Sequence, residues 1–150
     1  MSHTYFAVHV HVVFSTKDRR PLLSNEIQQE LFPYLAGVAQ THESQAYIVG
    51  GHVDHIHALL SPGSMILIPN LVREMKRASS RWLKTKGEAY RDFAWQEGYG
   101  AFSVSQSNLV QVTQYIKFQH RHHKTYSFEE EYRRLLAVHN FAFDEKHFLG

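Results

Sequence analysis

A strictly alternating run near the start of the chain is the sequence feature that most limits the fold. On one face of the run between Tyr5 and Phe14, apolar residues occupy every second position: Phe6, Val8, Val10, Val12 and Phe14. The opposite face carries Ala7, His9, His11 and Val13. A period of two with β-branched residues predicts a β-strand that buries one face. The chain must therefore build a sheet, because a lone strand leaves its backbone hydrogen-bonding groups unpaired.

Helical and strand-like patterns alternate along the rest of the sequence. Helices are predicted at residues 24–38, 69–83, 105–116 and 128–138. Pro33 lies inside the first of these helices and is expected to kink or break it. Strands are predicted at residues 45–49, 53–60, 93–95 and 101–104. Gly50 and Gly51 are expected to form the turn between the first two of these strands.

The resulting order, βαββαβα, is the ferredoxin-like split βαβ pattern of α+β proteins. It predicts an antiparallel sheet with helices mainly on one face and a second face free for a partner or ligand. Residues 1–150 are expected to form one domain, because this length suits a single core and no linker-like segment divides the chain. With 43% hydrophobic and 20% charged residues, the chain has enough apolar side chains for that core.

The composition excludes several classes of function. The chain has no cysteine, which rules out disulfides, a thiolate nucleophile and cysteine-ligated metal sites. No apolar run approaches the roughly 20 residues that a membrane span requires. The first residues show no basic segment followed by an apolar one, so no secretory signal is expected. The sequence therefore predicts a cytoplasmic protein that does not associate with membranes.

Charge is unevenly distributed, although the net charge is only +2. The segment from Leu71 to Arg91 holds seven basic residues against Glu74 and Glu88, whereas an acidic run occupies residues 129–131. Along the predicted helix, a basic stripe is formed by Arg73, Arg77, Arg81 and Lys84, with Lys76 beside it. Such a stripe can follow a phosphate backbone, but an ordinary solvated helix face has the same pattern.

Histidines form the first cluster that could carry chemistry. His55 and His57 are two residues apart in a predicted strand, so both side chains project from one face while Ile56 faces the core. Two adjacent imidazoles are half of a divalent-metal site, or else a structural pair. In a ferredoxin-like sheet, His9 and His11 could line the same face, as packing groups, behind the first pair or facing DNA. The histidines at 120, 122 and 123 are expected to form a solvated helix end.

Tyr115 and Gln119 form a second candidate pair. They are four residues apart in a predicted helix and therefore neighbours on one helix face. A tyrosine hydroxyl, with its pKa near ~10, is a poor nucleophile unless it is deprotonated beside a metal-bound phosphate. A glutamine four residues away can bring an oxygen to the same metal. An amphipathic surface helix with an ordinary Tyr–Gln pair would look the same.

These pieces, in this order, resemble the single-tyrosine HUH transposases of the simplest bacterial single-strand insertion sequences, relatives of the REP-associated tyrosine transposases. The resemblance covers almost the whole chain. It includes the strand and basic turn at residues 11–23, the strand at 54–60, the segment at 95–105 and the tyrosine motif at 115–119. An HxH pair alone is weakly specific. Its combination with YxxxQ some sixty residues later is specific.

The resemblance implies a mechanism and its residues. His55, His57 and Gln119 would bind a divalent cation, Mg²⁺ or Mn²⁺, that polarises a phosphate of single-stranded DNA. Tyr115 would attack that phosphate, giving a 5′-phosphotyrosine and a free 3′-OH that can later rejoin strands without a nucleotide cofactor. The expected partners are DNA hairpins and a second copy of the chain in a homodimer, in which the tyrosine helix often completes the other subunit's site. The residues expected to contact DNA are Lys17, Arg19, Arg20, Arg73, Lys76, Arg77 and Arg81.

Three other functions fit parts of the pattern. A domesticated, inactive relative would still bind DNA hairpins. An RNA-recognition domain shares the open sheet, but here the outward positions of the first strand are histidines rather than a stacking aromatic pair. A metal or pH sensor would use the histidines alone.

Overall fold

The computed structural model describes residues 3–149 and is built on one antiparallel sheet of four strands. The strands are β1 (Val10–Ser15), β2 (Gln45–His52), β3 (His55–Ser61) and β4 (Gly100–Ser103). They lie in the order β2-β3-β1-β4, and each neighbouring pair is antiparallel. This is the ferredoxin-like order, so the predicted α+β class is confirmed, with the HxH pair on a central strand.

Five helices accompany the sheet. They are α1 (Asn25–Thr41), α2 (Ile68–Leu83), α3 (Leu109–Lys117), α4 (Gln119–His122) and α5 (Phe128–Val138). Short 3-10 turns span Lys17–Arg19, Glu88–Tyr90 and Gln106–Asn108. The predicted bounds of α5 agree with the structure, and its start is capped by the Ser127 hydroxyl, which accepts a hydrogen bond from the amide of Glu130 at 3.2 Å.

The two faces of the sheet are covered by different helices. The two longest helices, α1 and α2, pack on one face, where Val12, Phe14 and Ile56 join the main core. The opposite face carries Val13, and it packs against Phe102 and the apolar side of α5 in a second, smaller core. The face that the sequence pattern left free is therefore covered by the short C-terminal helices. None of the helices within residues 3–149 is long and apolar enough to cross a membrane.

Two predicted strand boundaries are wrong. The first strand begins at Val10 rather than Tyr5, because β3 ends at Ser61 and β4 at Ser103, so no neighbouring strand extends beside the earlier residues. Tyr5 is 95% exposed. The segment 93–95 contributes only an isolated bridge between Trp95 and Thr16.

Two predicted breaks are also wrong. Helix α1 continues through Pro33 to Thr41. Pro33 has no N–H group, so the carbonyl of Gln29 lacks its helical hydrogen-bond donor. Both residues are exposed, so water can replace the lost hydrogen bond. Gly50 and Gly51 are not a turn but lie inside β2, opposite His57 and Ile56 of β3. The turn between the two strands falls at residues 53–54.

Candidate active site

The alternation of β3 places two histidines on the face that is covered by the C-terminal helices. Ile56 and Ala58 point into the main core, and His55 and His57 point the other way, both with 0% exposure. The two imidazole rings are neighbours, with ring centroids 5.1 Å apart. A polar pair this deeply buried requires hydrogen-bonding partners, and they come from other elements.

Glu131 of α5 is the residue on which these partners converge. Its Oε1 lies 2.9 Å from Nε2 of His57 and 3.3 Å from Nε2 of His55. The residue is 1% exposed although it belongs to the Glu129–Glu131 run, of which it is the last member. Ser127 caps α5 so that the third acidic residue of the run, and not the first two, faces the sheet. A buried carboxylate of this kind is stable only with compensating positive charge or a metal ion.

The helices α3 and α4 bring Tyr115 and Gln119 to the same place. Gln119 Oε1 lies 2.9 Å from Nε2 of His55, and its Nε2 donates to Oε2 of Glu131 at 3.0 Å. The hydroxyl of Tyr115 also donates to Oε2 of Glu131. The helical path is interrupted at Phe118, which separates α3 from α4, yet the two side chains stay on one side. Tyr115, Gln119 and both β3 histidines of one chain therefore meet at a single carboxylate.

One further histidine and one carboxylate support this cluster. His11 of β1 lies against His57, with its Nε2 2.8 Å from Nδ1 of that ring. Asp54 accepts a hydrogen bond from Nδ1 of His55 at 2.7 Å. This contact fixes the ring so that its other nitrogen faces Glu131, an arrangement common behind metal-binding histidines.

The electrostatics follow from burial and from the charge of Glu131. Burial alone lowers the pKa of His55, but its hydrogen bonds to Asp54 and Glu131 outweigh this and raise the pKa to about 9. Burial dominates at His57, whose pKa is lowered. Burial also opposes ionisation of Glu131, but the surrounding imidazoles outweigh it and hold its pKa well below its usual range.

Tyr115 and His11 are shifted in the direction of their neutral forms. Burial and then the negative charge of Glu131 raise the pKa of the Tyr115 hydroxyl far above its ordinary value. Burial and then the neighbouring His57 lower the pKa of His11 to about 3. The resting site therefore holds a protonated tyrosine and a neutral His11 beside an ionised Glu131.

The donor set fits a divalent metal ion. One atom each from His55, His57 and Glu131 lies within 4.8 Å of the other two, and all three residues are buried. Gln119 adds an amide oxygen 2.9 Å from His55 Nε2. Imidazole nitrogens with one carboxylate are ligands that first-row divalent metals accept. The buried carboxylate and its ring of imidazoles could therefore hold such an ion.

A cavity of about 390 Å³ lies beside Tyr115 and Glu131. Its walls come from β4, α3 and α5, and include Phe102, Val112 and Arg134. Phe102 stacks on His139 with ring centroids 4.4 Å apart, so one wall is aromatic. A phosphate with its attached nucleoside can enter such a space and meet the tyrosine.

The family of the chain follows from comparison with known proteins. Residues 4–119 match the family model described as "Transposase IS200 like". That segment is more than half of the chain and contains the HxH strand, Tyr115 and Gln119. The chain belongs to the IS200-like transposase family. The resemblance inferred from its motifs is therefore confirmed.

Individual members of the IS200-like transposase family and solved structures agree with this assignment. The chain is 26% identical over 120 residues to the ISDra2 transposase TnpA of Deinococcus radiodurans, covering 77% of this chain and 86% of that protein. A crystal structure from Deinococcus radiodurans R1, described as that of a candidate transposase, superposes with a TM-score of 0.63 at 24% identity, covering 79% of this chain and 95% of the other. A REP-associated tyrosine transposase bound to a REP hairpin superposes with a TM-score of 0.60 at 14% identity, covering 82% and 73%. These two structures share the fold of this IS200-like transposase.

Sequence reasoning missed two residues of the site, both after the end of the family match at Gln119. Glu131 belongs to the acidic run noted in the sequence, and the available signal was its position four residues after the helix-capping Ser127. His123 was expected at a solvated helix end. Instead its side chain is 3% exposed and its Nε2 lies 3.2 Å from Oε1 of Glu131. His11, for which the pattern left several roles open, is buried directly behind His57.

The basic residues predicted to bind DNA lie away from this IS200-like transposase's tyrosine. Helix α2 packs on the sheet face opposite to His55 and His57, so its basic stripe faces the other side of the molecule. The basic turn and helix α2 nevertheless flank one common segment, residues 94–97. On one side of this segment lie Lys17 and Arg19, and on the other Arg73, Lys76 and Arg77. Arg20 and Arg81 are exposed outside both clefts.

One of these residues, Lys76, has an internal role. Its ammonium donates hydrogen bonds to the carbonyl oxygens of Gln96 at 2.8 Å, Glu97 at 3.3 Å and Gly98 at 2.7 Å. It also lies 5.1 Å from the centre of the Phe14 ring. By contrast, the Arg73 and Arg77 side chains are 68% and 66% exposed, and both are near Glu74. Lys76 therefore holds the 96–98 segment, whereas the arginines remain on the surface.

Proposed function

We propose that this protein nicks and rejoins single-stranded DNA through a covalent bond between Tyr115 and a 5′-phosphate. The proposal is supported above all by one observation. The Tyr115 hydroxyl, Gln119 and the histidines of β3 meet at the Glu131 carboxylate, beside a cavity that opens to the surface. A nucleophile, a cation site and space for a phosphate are the three requirements of this reaction.

The metal would be held by His55, His57, Gln119 and Glu131, and Mg²⁺ and Mn²⁺ are the expected ions. When bound, it would polarise the scissile phosphate and neutralise charge that develops on its oxygens. The rest of the mechanism belongs to the side chains. His11 and Asp54 fix the orientation of the imidazoles, and Glu131 holds the tyrosine hydroxyl at the edge of the cavity.

The chemical step exchanges one phosphate ester bond for another. The Tyr115 oxygen forms a bond to phosphorus, and the bond between phosphorus and the 3′ oxygen of the preceding nucleotide breaks. Glu131 Oε2 accepts the hydrogen bond that orients the Tyr115 hydroxyl, and in the net reaction the proton lost by the tyrosine is gained by the departing 3′ oxygen, which becomes the 3′-OH. Attack of another 3′-OH on the phosphotyrosine reverses these changes and joins strands, so no nucleotide cofactor is consumed.

The substrate would occupy the cavity beside Tyr115, with its hairpin elsewhere on the surface. Arg134 lines this cavity and can meet a phosphate next to the cleaved one. For the hairpin we propose the surface around residues 94–97, where Lys17, Arg19, Arg73 and Arg77 gather from two elements. Arg20 and Arg81 would extend this surface. Lys76 would contribute by holding the segment rather than by touching phosphate.

Assembly and location complete the proposal. The 150-residue chain would act as a single domain in the cytoplasm and pair as a homodimer. The exposed side chains of Tyr5 and Phe6, which are 95% and 51% accessible, supply an apolar surface for such a contact. Light scattering on the purified protein, with Phe6→Ser beside it, would test the dimer. In this arrangement each Tyr115 serves the histidines of its own chain.

The decisive experiment detects the covalent intermediate. The protein is incubated with Mn²⁺ or Mg²⁺ and labelled single-stranded oligonucleotides taken from the DNA flanking its gene, and a denaturing gel resolves protein–DNA adducts. Tyr115→Phe is compared with Tyr126→Phe, because Tyr126 lines the same cavity. We expect a metal-dependent adduct in the wild type and in Tyr126→Phe, and none in Tyr115→Phe.

Other outcomes would change the assignment. An adduct that survives in Tyr115→Phe but disappears in Tyr126→Phe would move the nucleophile to Tyr126. Binding of hairpin DNA without an adduct under either metal would favour an inactive, hairpin-binding protein. Absence of DNA binding altogether would exclude both.

A further inference from the structure

His123 follows the last residue of α4 and turns into the candidate metal centre. Its Nε2 lies 2.9 Å from Oε1 of Gln119 and 3.2 Å from Oε1 of Glu131. Its ring is packed against His55, with ring centroids 4.5 Å apart. Of the three histidines in the 120–123 segment, it is the one whose side chain reaches the two oxygens that also contact His55.

The hydrogen bond on the far side of the His123 ring decides what its Nε2 can do. Nδ1 lies 3.0 Å from the backbone carbonyl oxygen of Tyr126, which can only accept. Nδ1 therefore carries the proton, and in the neutral ring Nε2 presents a lone pair. That lone pair faces the amide oxygen of Gln119 and a carboxylate oxygen of Glu131. The amide orientation is itself set by the bond from Gln119 Nε2 to Glu131.

The same arrangement occurs at His55. Its Nδ1 donates to the Asp54 carboxylate, and its Nε2 faces Oε1 of Gln119 and Oε1 of Glu131, at 2.9 Å and 3.3 Å. The Nε2 atoms of His55 and His123 thus face the same two oxygens, so protons or a metal ion must lie among these four atoms. Protons on both rings would place two imidazolium groups side by side in a buried space, which is costly. One divalent ion satisfies all of these atoms together.

The nitrogen–oxygen distances suit a shared ion. Ligand atoms that are about 2.1 Å from one metal ion lie roughly 3 Å apart when they are adjacent around it. The Nε2 atoms of His55 and His123 lie 2.9 to 3.3 Å from both oxygens, and Nε2 of His57 lies 2.9 Å from Oε1 of Glu131. Within residues 3–149, the hydrogen bonds and ion pairs of His123 Nε2 all go to these two oxygens.

We propose that His123 is a further ligand of the metal, which is then held by three imidazoles, Gln119 Oε1 and Glu131 Oε1. This inference rests on the proposed function and refines it by naming the kind of ion. Three nitrogen ligands select a first-row transition ion such as Mn²⁺, Fe²⁺, Co²⁺ or Zn²⁺. Mg²⁺ prefers an all-oxygen octahedron that retains several waters, and this centre offers only two protein oxygens.

The test measures metal binding without DNA, so it does not depend on catalysis. The full chain is stripped with a chelator and titrated with Co²⁺, monitored by visible absorption, and with Mn²⁺ by calorimetry. His123→Ala is compared with His120→Ala, an exposed neighbour whose Nδ1 contacts His52 instead, at 3.0 Å. His57→Ala removes one of the proposed ligands and shows whether the metal binds at this site.

We expect His123→Ala to weaken Co²⁺ binding by at least about tenfold, since losing even an outer partner of a metal ligand costs that much. The Co²⁺ affinity of His120→Ala should stay within about twofold of that of the wild type. A large excess of Mg²⁺ should not displace Co²⁺ from the wild type. The His123→Ala substitution could unfold the C-terminal helices, so a second measurement uses the wild type alone. X-ray absorption at the cobalt edge counts the imidazole ligands of the bound ion and should find three.

The outcomes separate this inference from the proposed function. Loss of binding in His57→Ala but not in His123→Ala, or a count of two imidazoles, would remove His123 from the metal and leave the tyrosine mechanism standing. Displacement of Co²⁺ by Mg²⁺ would overturn the choice of ion. A wild type that binds none of these ions would overturn the metal centre itself, including its part in the proposed function.

Discussion

The hydroxyl of Tyr115 donates a hydrogen bond to one oxygen of Glu131, and the other oxygen of that carboxylate contacts His55, His57 and His123. One side chain thus links the proposed nucleophile to every imidazole of the candidate metal centre. Glu131 sets the charge of the site and the position of the tyrosine at the same time. Its loss should therefore affect metal binding and DNA cleavage together.

The first prediction concerns this charge. Glu131→Gln keeps the size of the side chain and can still accept a bond from Tyr115, but it removes the negative charge. We expect metal affinity to fall by about 10–100-fold, the usual effect of disturbing a metal site, and the covalent adduct to fall with it. Calorimetry and the adduct gel measure the two effects. Glu130→Gln, an exposed neighbour on α5, should match the wild type in both. Normal metal affinity in Glu131→Gln would contradict the role given to this carboxylate.

The second prediction concerns the stability of the metal-free protein at acidic pH. The pKa of His11 is lowered from its ordinary 6.5 to about 3, first by burial and then by His57. Between these values the unfolded chain binds a proton that the folded chain does not, so the free energy of unfolding falls as the pH falls. The slope for one such group is at most about 1.4 kcal/mol per pH unit.

At alkaline pH the direction reverses. The pKa of His55 is raised to about 9 by its bonds to Asp54 and Glu131, which outweigh burial. Its contribution to stability is complete below pH 6.5 and is lost as the pH rises through 9. Urea unfolding in the presence of a chelator should therefore show maximal stability near pH 6.5. His11→Gln should flatten the acid side, and the exposed His3→Gln should not. A free energy of unfolding that does not change between about pH 4 and about pH 9 would contradict these pKa shifts.

The third prediction uses two glycines with opposite surroundings. A Cβ at Gly50 would lie 2.7 Å from the backbone oxygen of Ile116 and 2.9 Å from its Cγ2, so Gly50→Ala must push α3 away from β2. We expect a loss of about 1–3 kcal/mol of stability and a weaker adduct, because α3 carries Tyr115. At Gly37 of α1 no atom lies within 4 Å of the added carbon. Gly37→Ala should stabilise the helix by about 0.5–1 kcal/mol and leave cleavage unchanged. Urea unfolding and the adduct gel would record both variants.

The fourth prediction separates structure from DNA contact among the basic residues. Burial lowers the pKa of Lys76 to about 8, and its ammonium is hydrogen-bonded to three backbone carbonyls. Lys76→Met should cost about 1–3 kcal/mol of stability, because those carbonyls lose their donor. Arg77→Gln should leave stability within about 0.5 kcal/mol, since its side chain is exposed.

Salt dependence of hairpin binding is the complementary measurement. Arg77→Gln should weaken binding and reduce the slope of affinity against salt by about one, as expected for one lost phosphate contact. Lys76→Met should leave that slope close to the wild-type value at a temperature where it is folded. An unchanged slope in Arg77→Gln would place the hairpin elsewhere.

Part of the site could be predicted because it depends on local geometry. In any strand, His55 and His57 share a face, and in any helix Tyr115 and Gln119 are neighbours, so their pairing needed no knowledge of the fold. The break in the helix at Phe118 did not disturb this, since the two side chains remained on one side. Local patterns also gave two wrong predictions. Pro33 favours a helix break, but it is exposed and α1 continues through it. The Gly50–Gly51 pair favours a turn, but close packing against Ile116 keeps it inside β2.

The sequence by itself determined the order of strands and helices, the two histidines on one strand face and the tyrosine–glutamine pair, because backbone periodicity controls each of these within a few residues. Only the tertiary structure decided that Glu131, 74 residues after His57 in the chain, closes the site, and that His123 turns inward. Both depend on α5 packing the Phe128 and Tyr132 side of its surface against Val13 and Phe102. Burial of apolar surface between distant segments drives that packing. No local sequence pattern shows which face of α5 will be buried together with Glu131.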